Sequence, residues 1–411
     1  MSISLCLIVK NEAQTLASCL ASARPLADEI IVVDTGSSDD TMPLARQLGA
    51  QVYPYPWQDD FAAARNQALS HASGDWILVL DADEHLQPQG LAQLRALAQG
   101  RPLGQTSAEA IVLVNLIRQE IGALQSPYSL VPRFFRNHLG LHFTRPYHET
   151  VVDSVIQLQQ QQPHWQVVTL PMVALTHTGY TPDMIRRHQK LERARRIMAR
   201  YLAEHPDDAY IGNKLGALYG QAGDWDRALP LLQRALKMVP PQDSMTRYEL
   251  HYHLGLAYRH HQDWEQAMAH YRQALTEPLL PTLTLGAQIN LGSALKAQGH
   301  LNDAIRCFQQ AIDVDPNCAV AYYNLGLTQR ARGYLDDAIA AYRQAIQLQP
   351  AYAEAHRNLA VALFKLGRIP ECCQSFQRAI HLYEGTQPSE AERLRQQLQA
   401  LGLAIDTIAG D

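Results

Sequence analysis

A Leu-Gly pair recurs through the C-terminal half of this chain, at Leu215-Gly216, Leu254-Gly255, Leu291-Gly292 and Leu325-Gly326, and once more as Leu359-Ala360. The copies are 39, 37, 34 and 34 residues apart. A period of this size limits the fold more than any local propensity, because each copy must be a small unit that buries its apolar face against its neighbours. Thirteen residues after each Leu stands a small residue: Ala228, Ala267, Ala304, Ala338 and Cys372. Seventeen after it comes a large one, Leu232, Tyr271, Phe308, Tyr342 and Phe376, and twenty after it comes Ala235, Ala274, Ala311, Ala345 and Ala379. Pro240, Pro316 and Pro350 follow at twenty-five; the second copy has Pro281 slightly late and the fifth has Glu384. The pattern predicts two antiparallel helices per copy. Gly and Ala let them approach, the large residue fills the gap between neighbouring pairs, and Pro closes the second helix. Extra loop residues are expected around 240–242 and 277–281, and a capping helix over 387–403.

The position before each Leu-Gly pair is Lys214, His253, Asn290, Asn324 and Asn358. Three Asn at a constant step stack along one face of a superhelix. A side-chain amide both donates and accepts, so it can hold an extended peptide backbone without reading its sequence; a plain solvated face is the alternative. The pattern resembles the tetratricopeptide repeat, whose period is about 34 residues, over residues 207–384. The resemblance implies an all-α solenoid that binds partners on its concave face.

The whole chain has 411 residues, 47% apolar and 18% charged, with a net charge of −5. That composition is globular and excludes a strongly basic nucleic-acid protein. No apolar run approaches the roughly 18 residues of a membrane span. The apolar run at 3–9 has no basic residue before it, so a secretory signal is not expected. Six cysteines without a CxxC pair read as reduced core residues of a cytoplasmic protein. Residues 1–180 carry ten Lys/Arg against sixteen Asp/Glu, while 183–204 is rich in Arg and Lys. The predicted division is therefore 1–180, a basic connecting helix at 181–206, repeats at 207–386, and a capping helix and tail at 387–411.

The first part alternates strand and helix patterns. Apolar β-branched runs at 3–9, 29–33, 51–53 and 75–80 predict strands, and 12–23, 39–48 and 61–71 predict helices, with Asp39 or Asp40 as a cap. Such a series gives a parallel sheet with functional groups at the strand carboxyl ends. Three of those ends carry polar clusters: Lys10-Asn11-Glu12, Asp34 with Asp39, and Asp81 with Asp83. A strand-end Asp is often only a helix cap. Several together repel unless a cation joins them, and oxygen ligands favour Mg²⁺ or Mn²⁺, the neutraliser of a diphosphate.

Four segments in order, 7–12, 31–41, 60–66 and 81–84, resemble the nucleotide-binding half of family 2 glycosyltransferases. The resemblance implies an α/β GT-A fold, Rossmann-like with a mainly parallel sheet, and an inverting, metal-dependent transfer from a UDP-sugar. It places the base and ribose on the Val9, Lys10, Asn11 and Glu12 segment and on Asp34. Arg65, with Asn66, would line the diphosphate cleft. Asp81-Ala82-Asp83 would be the DxD motif, with Asp83 on the metal and Asp81 on ribose, metal or both. Arg suits phosphate oxygens, and Asp suits ribose hydroxyls.

Combined with tetratricopeptide repeats, the chain resembles a bacterial group that includes peptide glycosyltransferases of bacteriocin biosynthesis. That group carries an Ile-His-Glu element and a His-x-Gly-Tyr element. Here they read Tyr147-His148-Glu149 and His177-Thr178-Gly179-Tyr180, with Tyr in place of Ile. An inverting transfer needs a general base, and Glu149 is the candidate, with His148 orienting it or the sugar. A structural ion pair is the alternative for Glu149. The family's frequent acidic pair before the base is absent between 90 and 180. His177 is a candidate late metal ligand, while His138 and His142 lack the helix and Cys context of a zinc site. Lys190 and Arg193 are the cations of the connecting helix that would meet phosphate. The repeats would recruit a peptide, protein or glycan acceptor. A scaffold with an inactive nucleotide-binding domain is the alternative from another class. A sugar nucleotidyltransferase lacks support, because no Gly-rich loop follows the first strand.

Overall fold

The structure is a computed structural model. It describes residues 1–123, 127–178 and 184–403, with 184–190 as backbone only. Contacts divide the chain into two compact units, Met1–Pro240 and Pro241–Asp411. No helix among the described residues is long and apolar enough to cross a membrane.

The first unit opens with β1 (Ile3–Val9), α1 (Leu16–Ala23), β2 (Glu29–Asp34), α2 (Thr41–Gln47) and β3 (Gln51–Pro54). It continues with α3 (Phe61–His71), β4 (Trp76–Val79), β5 (Glu84–Leu86), α4 (Pro88–Ala98), β6 (Ile111–Glu120) and β7 (Tyr128–Arg136). Then come α5 (Val152–Gln161), β8 (Gln166–His177) and α6 (Met184–Glu204). The described strands form one sheet in the order β3-β2-β1-β4-β7-β6-β8-β5. β1, β2, β3 and β4 pair in parallel, as the alternating pattern predicts. The far half is mixed: β7 runs antiparallel to both β4 and β6, and β5 antiparallel to β8. The sheet is buried on both faces. Leu5, Leu7 and Val9 of β1 join a core with α1 and α4, while Cys6 joins a second core with Ala62 and Ala68 of α3. This two-sided burial explains why β1 reads as a continuous apolar run rather than an alternating one.

Local readings shift at the ends. The predicted helix at 12–23 begins only at Leu16, and Glu12–Thr15 form a turn closed by Thr15 N–H donating to the Glu12 carbonyl at 3.1 Å. At α2, Asp40 stands at the cap position but Asp39 supplies the bond, its Oδ1 accepting from Thr41 N at 3.0 Å.

The first repeat belongs to this unit: α7 (Ala209–Gln221) and α8 (Trp225–Met238) form a hairpin, and α6 packs on α7. The second unit holds four further hairpins: α9 (Ser244–His260) with α10 (Trp264–Thr276), α11 (Pro281–Ala297) with α12 (Leu301–Val314), α13 (Ala319–Ala331) with α14 (Leu335–Leu348), and α15 (Ala353–Lys365) with α16 (Ile369–Thr386). The capping helix α17 (Pro388–Ala400) follows. Asp208, Asp224, Asp243 and Asp263 each accept a backbone N–H three residues on, and so start α7, α8, α9 and α10. Pro281 does not end the second repeat. It opens α11, where its missing N–H is one of the helix's orphan donors.

In the first four repeats the large residue also sits on the Gly of its own hairpin, while Tyr342 shares a core with Ala353 and Leu359 of the next hairpin. A Cβ added at Gly216 would lie 2.6 Å from Leu232, at Gly255 2.4 Å from Tyr271, at Gly292 2.8 Å from Phe308, and at Gly326 2.7 Å from Tyr342. The four large side chains are fully buried. Leu-Gly is therefore the imprint of a ring or a branched side chain laid across the partner helix.

Gly326→Ala is expected to lower unfolding stability by about 2 kcal/mol, because the Tyr342 ring has no space to retreat. Gly385→Ala, in α16 with nothing within 4 Å, is expected to raise it by about 0.5 kcal/mol through helix propensity. Urea denaturation of the two variants checks the contrast.

In α9 and α10, His251 Nδ1 lies 3.0 Å from His270 Nδ1. Burial, then the neighbouring His270 and Arg247, push the His251 pKa down to about 4, and burial lowers that of His270. The native state thus prefers neutral imidazoles that the unfolded chain protonates below its ordinary value of about 6.5. Their stabilisation is complete above pH ~6.5 and declines as the pH falls toward 4. The melting temperature is expected to drop between pH 7 and 5, and His251→Asn to flatten that drop in differential scanning fluorimetry.

Candidate functional site

The parallel strands end at one edge, and the loops beyond β1 and β2 are stitched together there. Asn11 sits at φ 57°, in the left-handed region that Asn tolerates better than most residues. Its backbone N–H donates to Ser37 Oγ at 2.9 Å, and its Oδ1 accepts from Ser38 N at 2.8 Å. The Val9 carbonyl accepts from Thr35 N and Thr35 Oγ1 at 2.9 and 3.1 Å. Glu12 N donates to Thr41 Oγ1 at 2.8 Å, and its carboxylate accepts from Thr15 Oγ1. Lys10 is exposed. Asp34 is buried at the end of β2, and its Oδ1 accepts from Gly36 N and Ser37 N at 2.9 and 2.8 Å. Its Oδ2 is buried without a hydrogen-bond partner. An orphaned carboxylate oxygen at a strand end suits a hydroxyl or N–H donor brought by a ligand.

Beyond β4 the DxD residues enter a dense charge network. Arg65 of α3 is almost fully buried; its Nε donates to Glu149 Oε1 at 2.9 Å and its Nη2 to Asp81 Oδ1. Arg133 of β7 donates from Nη2 to Asp81 Oδ2 at 2.5 Å and to Glu84 Oε1 at 3.0 Å. Arg118 of β6 donates to Glu84 Oε1 at 2.6 Å and to Glu120 Oε1 at 2.8 Å. Glu84 is fully buried, and its Oε2 accepts the Asp81 N–H at 2.9 Å. Burial alone would raise the pKa of Asp81, but Arg133 and Arg65 outweigh it and hold the carboxyl well below the usual range.

His177 closes the network at the end of β8. Its Nε2 is 3.1 Å from Asp83 Oδ2 and its Nδ1 is 2.6 Å from Glu120 Oε2. Burial disfavours the imidazolium, yet the bonds to Asp83 and Glu120 raise its pKa to about 9. Glu120 is driven the other way, to about 2, because its bond to His177 and the charge of Arg118 overcome burial. Five carboxylates (Asp81, Asp83, Glu84, Glu120, Glu149) thus face three arginines and one histidine.

This donor set bears on a divalent ion. Among the described residues, no group of three or more His, Cys, Asp or Glu side chains is arranged to hold a metal. Asp81, expected on metal or ribose, has both oxygens taken by arginines. Asp83 and His177 do converge, and the Glu120 carboxylate behind the imidazole is the usual partner of a metal-binding histidine. Two protein ligands with further oxygens from water and phosphate suit Mg²⁺ or Mn²⁺.

The segment carrying Glu149 is a loop closed by a bridge between Thr144 and Thr150, with N–H to carbonyl distances of 2.9 and 3.2 Å. Within it, Arg145 and His148 adopt positive φ, 71° and 53°. Such backbone persists only where surroundings over-determine it. Three anchors do so: Phe61 N donates to the Pro146 carbonyl at 2.9 Å, Glu149 meets Arg65, and Arg145 Nε donates to Asp208 Oδ2 at 2.8 Å. Asp208 is also the cap of α7, its Oδ1 accepting from Ile211 N at 2.9 Å.

The remaining expected residues serve other ends. Asn66 spends both ends of its amide on the Phe143 backbone, at 2.9 and 2.8 Å. Arg193 of α6 lies over the Trp57 and Phe61 rings at 5.1 and 5.4 Å, and Arg196 pairs with Asp59 at 2.7 Å, so α6 docks on the entry to α3. The Lys190 side chain, Gly179 and Tyr180 lie outside the described residues. In the repeats, Asn290, Asn324 and Asn358 each donate to the carbonyl four residues back, at 2.9, 2.9 and 2.8 Å. Asn290 is buried, and its Oδ1 accepts from Arg259 Nη1 at 2.8 Å, so it is not open to a peptide. Sequence reading missed Arg133, Arg118, Glu84 and Glu120. Arg118 and Glu120 close an apolar run and Arg133 precedes Phe134-Phe135, a charge-in-strand pattern that signals paired burial.

The comparisons agree with this order of domains. A model of the family Glycosyl transferase family 2 matches residues 4–112, and repeat models match 186–243, 213–281, 292–329 and 329–367. A TPR repeat-containing protein of Synechococcus elongatus is 43% identical over 76% of this chain and 76% of its own length. An uncharacterized glycosyltransferase of Rickettsia felis is 32% identical over 38% of this chain and 54% of its own. The SPbeta prophage-derived glycosyltransferase SunS of Bacillus subtilis is 28% identical over 43% of this chain and 39% of its own. The chain thus carries a family 2 glycosyltransferase domain at its N-terminus followed by tetratricopeptide repeats, and belongs with the TPR repeat-containing relative.

Arg133→Met removes one partner from buried Glu84 and from Asp81. It is expected to cost about 3 kcal/mol of stability by leaving carboxylate charge uncompensated, read as a lower urea midpoint.

Proposed function

We propose that this protein transfers a sugar from a UDP-sugar to a peptide or protein acceptor with inversion at the anomeric carbon. The observation that carries this reading is Arg65, which joins Glu149 to Asp81 through one guanidinium. It fixes the candidate base beside the DxD motif. Glu149 Oε2 accepts no hydrogen bond from the described residues and is available to a proton.

In this reading Asp34 Oδ2 and the segment after β1 hold the nucleoside. Asp83 and His177 would hold Mg²⁺ or Mn²⁺, which when bound neutralises charge on the diphosphate. Glu149 Oε2 takes the acceptor's proton while the acceptor's lone pair forms the bond to the anomeric carbon. The bond from that carbon to the diphosphate breaks in the same displacement, and its electron pair leaves with the nucleoside diphosphate. Arg65 keeps Glu149 aimed, and Arg133 keeps Asp81 in place. The repeats recruit the acceptor, with half-buried Asn324 as the amide that remains to meet it, since Asn358 is buried and bonded like Asn290.

Nucleotide-sugars with Mn²⁺ should be screened by thermal shift, because a donor at about 100 times its Kd adds about 2.7 kcal/mol of stability. With the donor found, Glu149→Gln is expected to lose at least about 100-fold in transfer while keeping the donor's thermal shift. Unchanged transfer removes the base assignment. Absence of any nucleotide-sugar shift and of turnover, with Asp83→Ala indistinguishable from wild type, would instead identify a scaffold.

A further inference from the structure

The inner helices of the second unit carry an unusual charge pattern. Five residues after the Leu of the Leu-Gly pair stand Arg259, Lys296 and Arg330, on α9, α11 and α13. On α11 and α13 these are the sole charged residues: neither helix contains an Asp or a Glu. The outer helices α12 and α14 differ, since each mixes Arg with Asp. Repetition at one register position places the three cations along one side of the stacked hairpins.

These cations lack the counter-charges found elsewhere in the chain. Arg247, Arg343 and Arg357 of the same unit each meet a glutamate at 2.9, 2.7 and 2.9 Å. Among the described residues, neither Lys296 nor Arg330 meets a carboxylate within 4.0 Å, and Arg259 reaches only the neutral Asn290 Oδ1. Lys296 is half-buried, and burial together with the charge of Arg330 lowers its pKa. Burial raises the pKa of Tyr323 and of Tyr342, and the nearby charge of Arg330 offsets part of that rise. Two half-buried like charges that act on one another are stabilised by an anion that arrives between them. Beside them, Oδ1 of half-buried Asn324 accepts no bond from the described residues. The row thus offers cations for carboxylates and an amide oxygen for a backbone N–H group, the complement of an extended acidic peptide. Glutamates return only on the flanking inner helices, Glu249 on α9 and Glu354 on α15.

We propose that Lys296 and Arg330, with Arg259, form a docking row for an acidic peptide segment. This deepens and rests on the reading of the repeats as the acceptor-recruiting part, and it names the chemistry of what they recruit. A free carboxylate-rich segment supplies the counter-ion that the fold withholds.

The test measures binding to the full-length protein, apart from any transfer. Three fluorescein-labelled dodecapeptides serve as probes, alternating Ser with Glu, with Gln or with Lys, followed by fluorescence anisotropy at low and at physiological ionic strength. The Glu peptide is expected to bind tightest and to weaken with salt. Lys296→Gln with Arg330→Gln is expected to weaken it about tenfold or more. Arg306→Gln with Arg343→Gln removes equal charge from the outer helices α12 and α14 and is expected to leave binding unchanged. Equal binding of the Gln peptide would overturn the charge proposal while leaving peptide recruitment standing. No binding of the Glu peptide, or equal loss in both double variants, would also overturn it.

Discussion

The site depends on one buried cation. Arg65 sits on α3 beneath the sheet's carboxyl edge and spends its guanidinium on Asp81, from the end of β4, and on Glu149, from a loop 68 residues further on. Without it those carboxylates would repel across a poorly solvated gap. Arg133 and Arg118 extend the same solution to Glu84 and Glu120. A buried network of this kind contributes little net stability compared with apolar packing, yet it is costly to break at any one point. Its worth is geometric: it holds acidic groups in one place, and it keeps Asp81 and Glu120 well below the usual carboxylate range.

The repeats are organised by a different constraint, the thickness of a side chain. In the first four hairpins the first helix presents a bare Gly to a Leu, Tyr or Phe of the second. That contact sets how closely the two helices of a hairpin approach, and the N-caps Asp224, Asp243 and Asp263 fix where helices begin. With the hairpin geometry fixed internally, residues on the inner face are free to vary. This is where the asparagines and the unpaired cations are found.

The repeat period, the parallel half of the sheet and helix α3 were legible in the sequence, because each rests on a local or periodic signal. The convergence of Asp83 with His177, and of Glu149 with the DxD segment, was also anticipated in kind. What could not be read was which charges neutralise which. Arg65 resembles a phosphate ligand in isolation, and only tertiary pairing shows that carboxylates hold it. Asn66 illustrates the same limit: its amide is consumed by the Phe143 backbone, a partner 77 residues away. The reversal of β7 was hidden because direction along a strand leaves no trace in its apolar pattern. Pro281 misled for a simpler reason, since a proline closes one helix and opens another equally well.

Asp208 gives the architecture an unexpected seam. One of its oxygens starts α7 and the other grips Arg145, whose loop ends in Glu149. The first hairpin is therefore part of the frame around the charge cluster, and the compact units part only at Pro240–Pro241. Recombination between relatives that exchanged whole repeat arrays at residue 207 would swap a working part of the catalytic half. Exchange after Pro240 would respect it. Shuffling of repeats in such proteins is thus expected to spare the first one, which is built into the N-terminal unit.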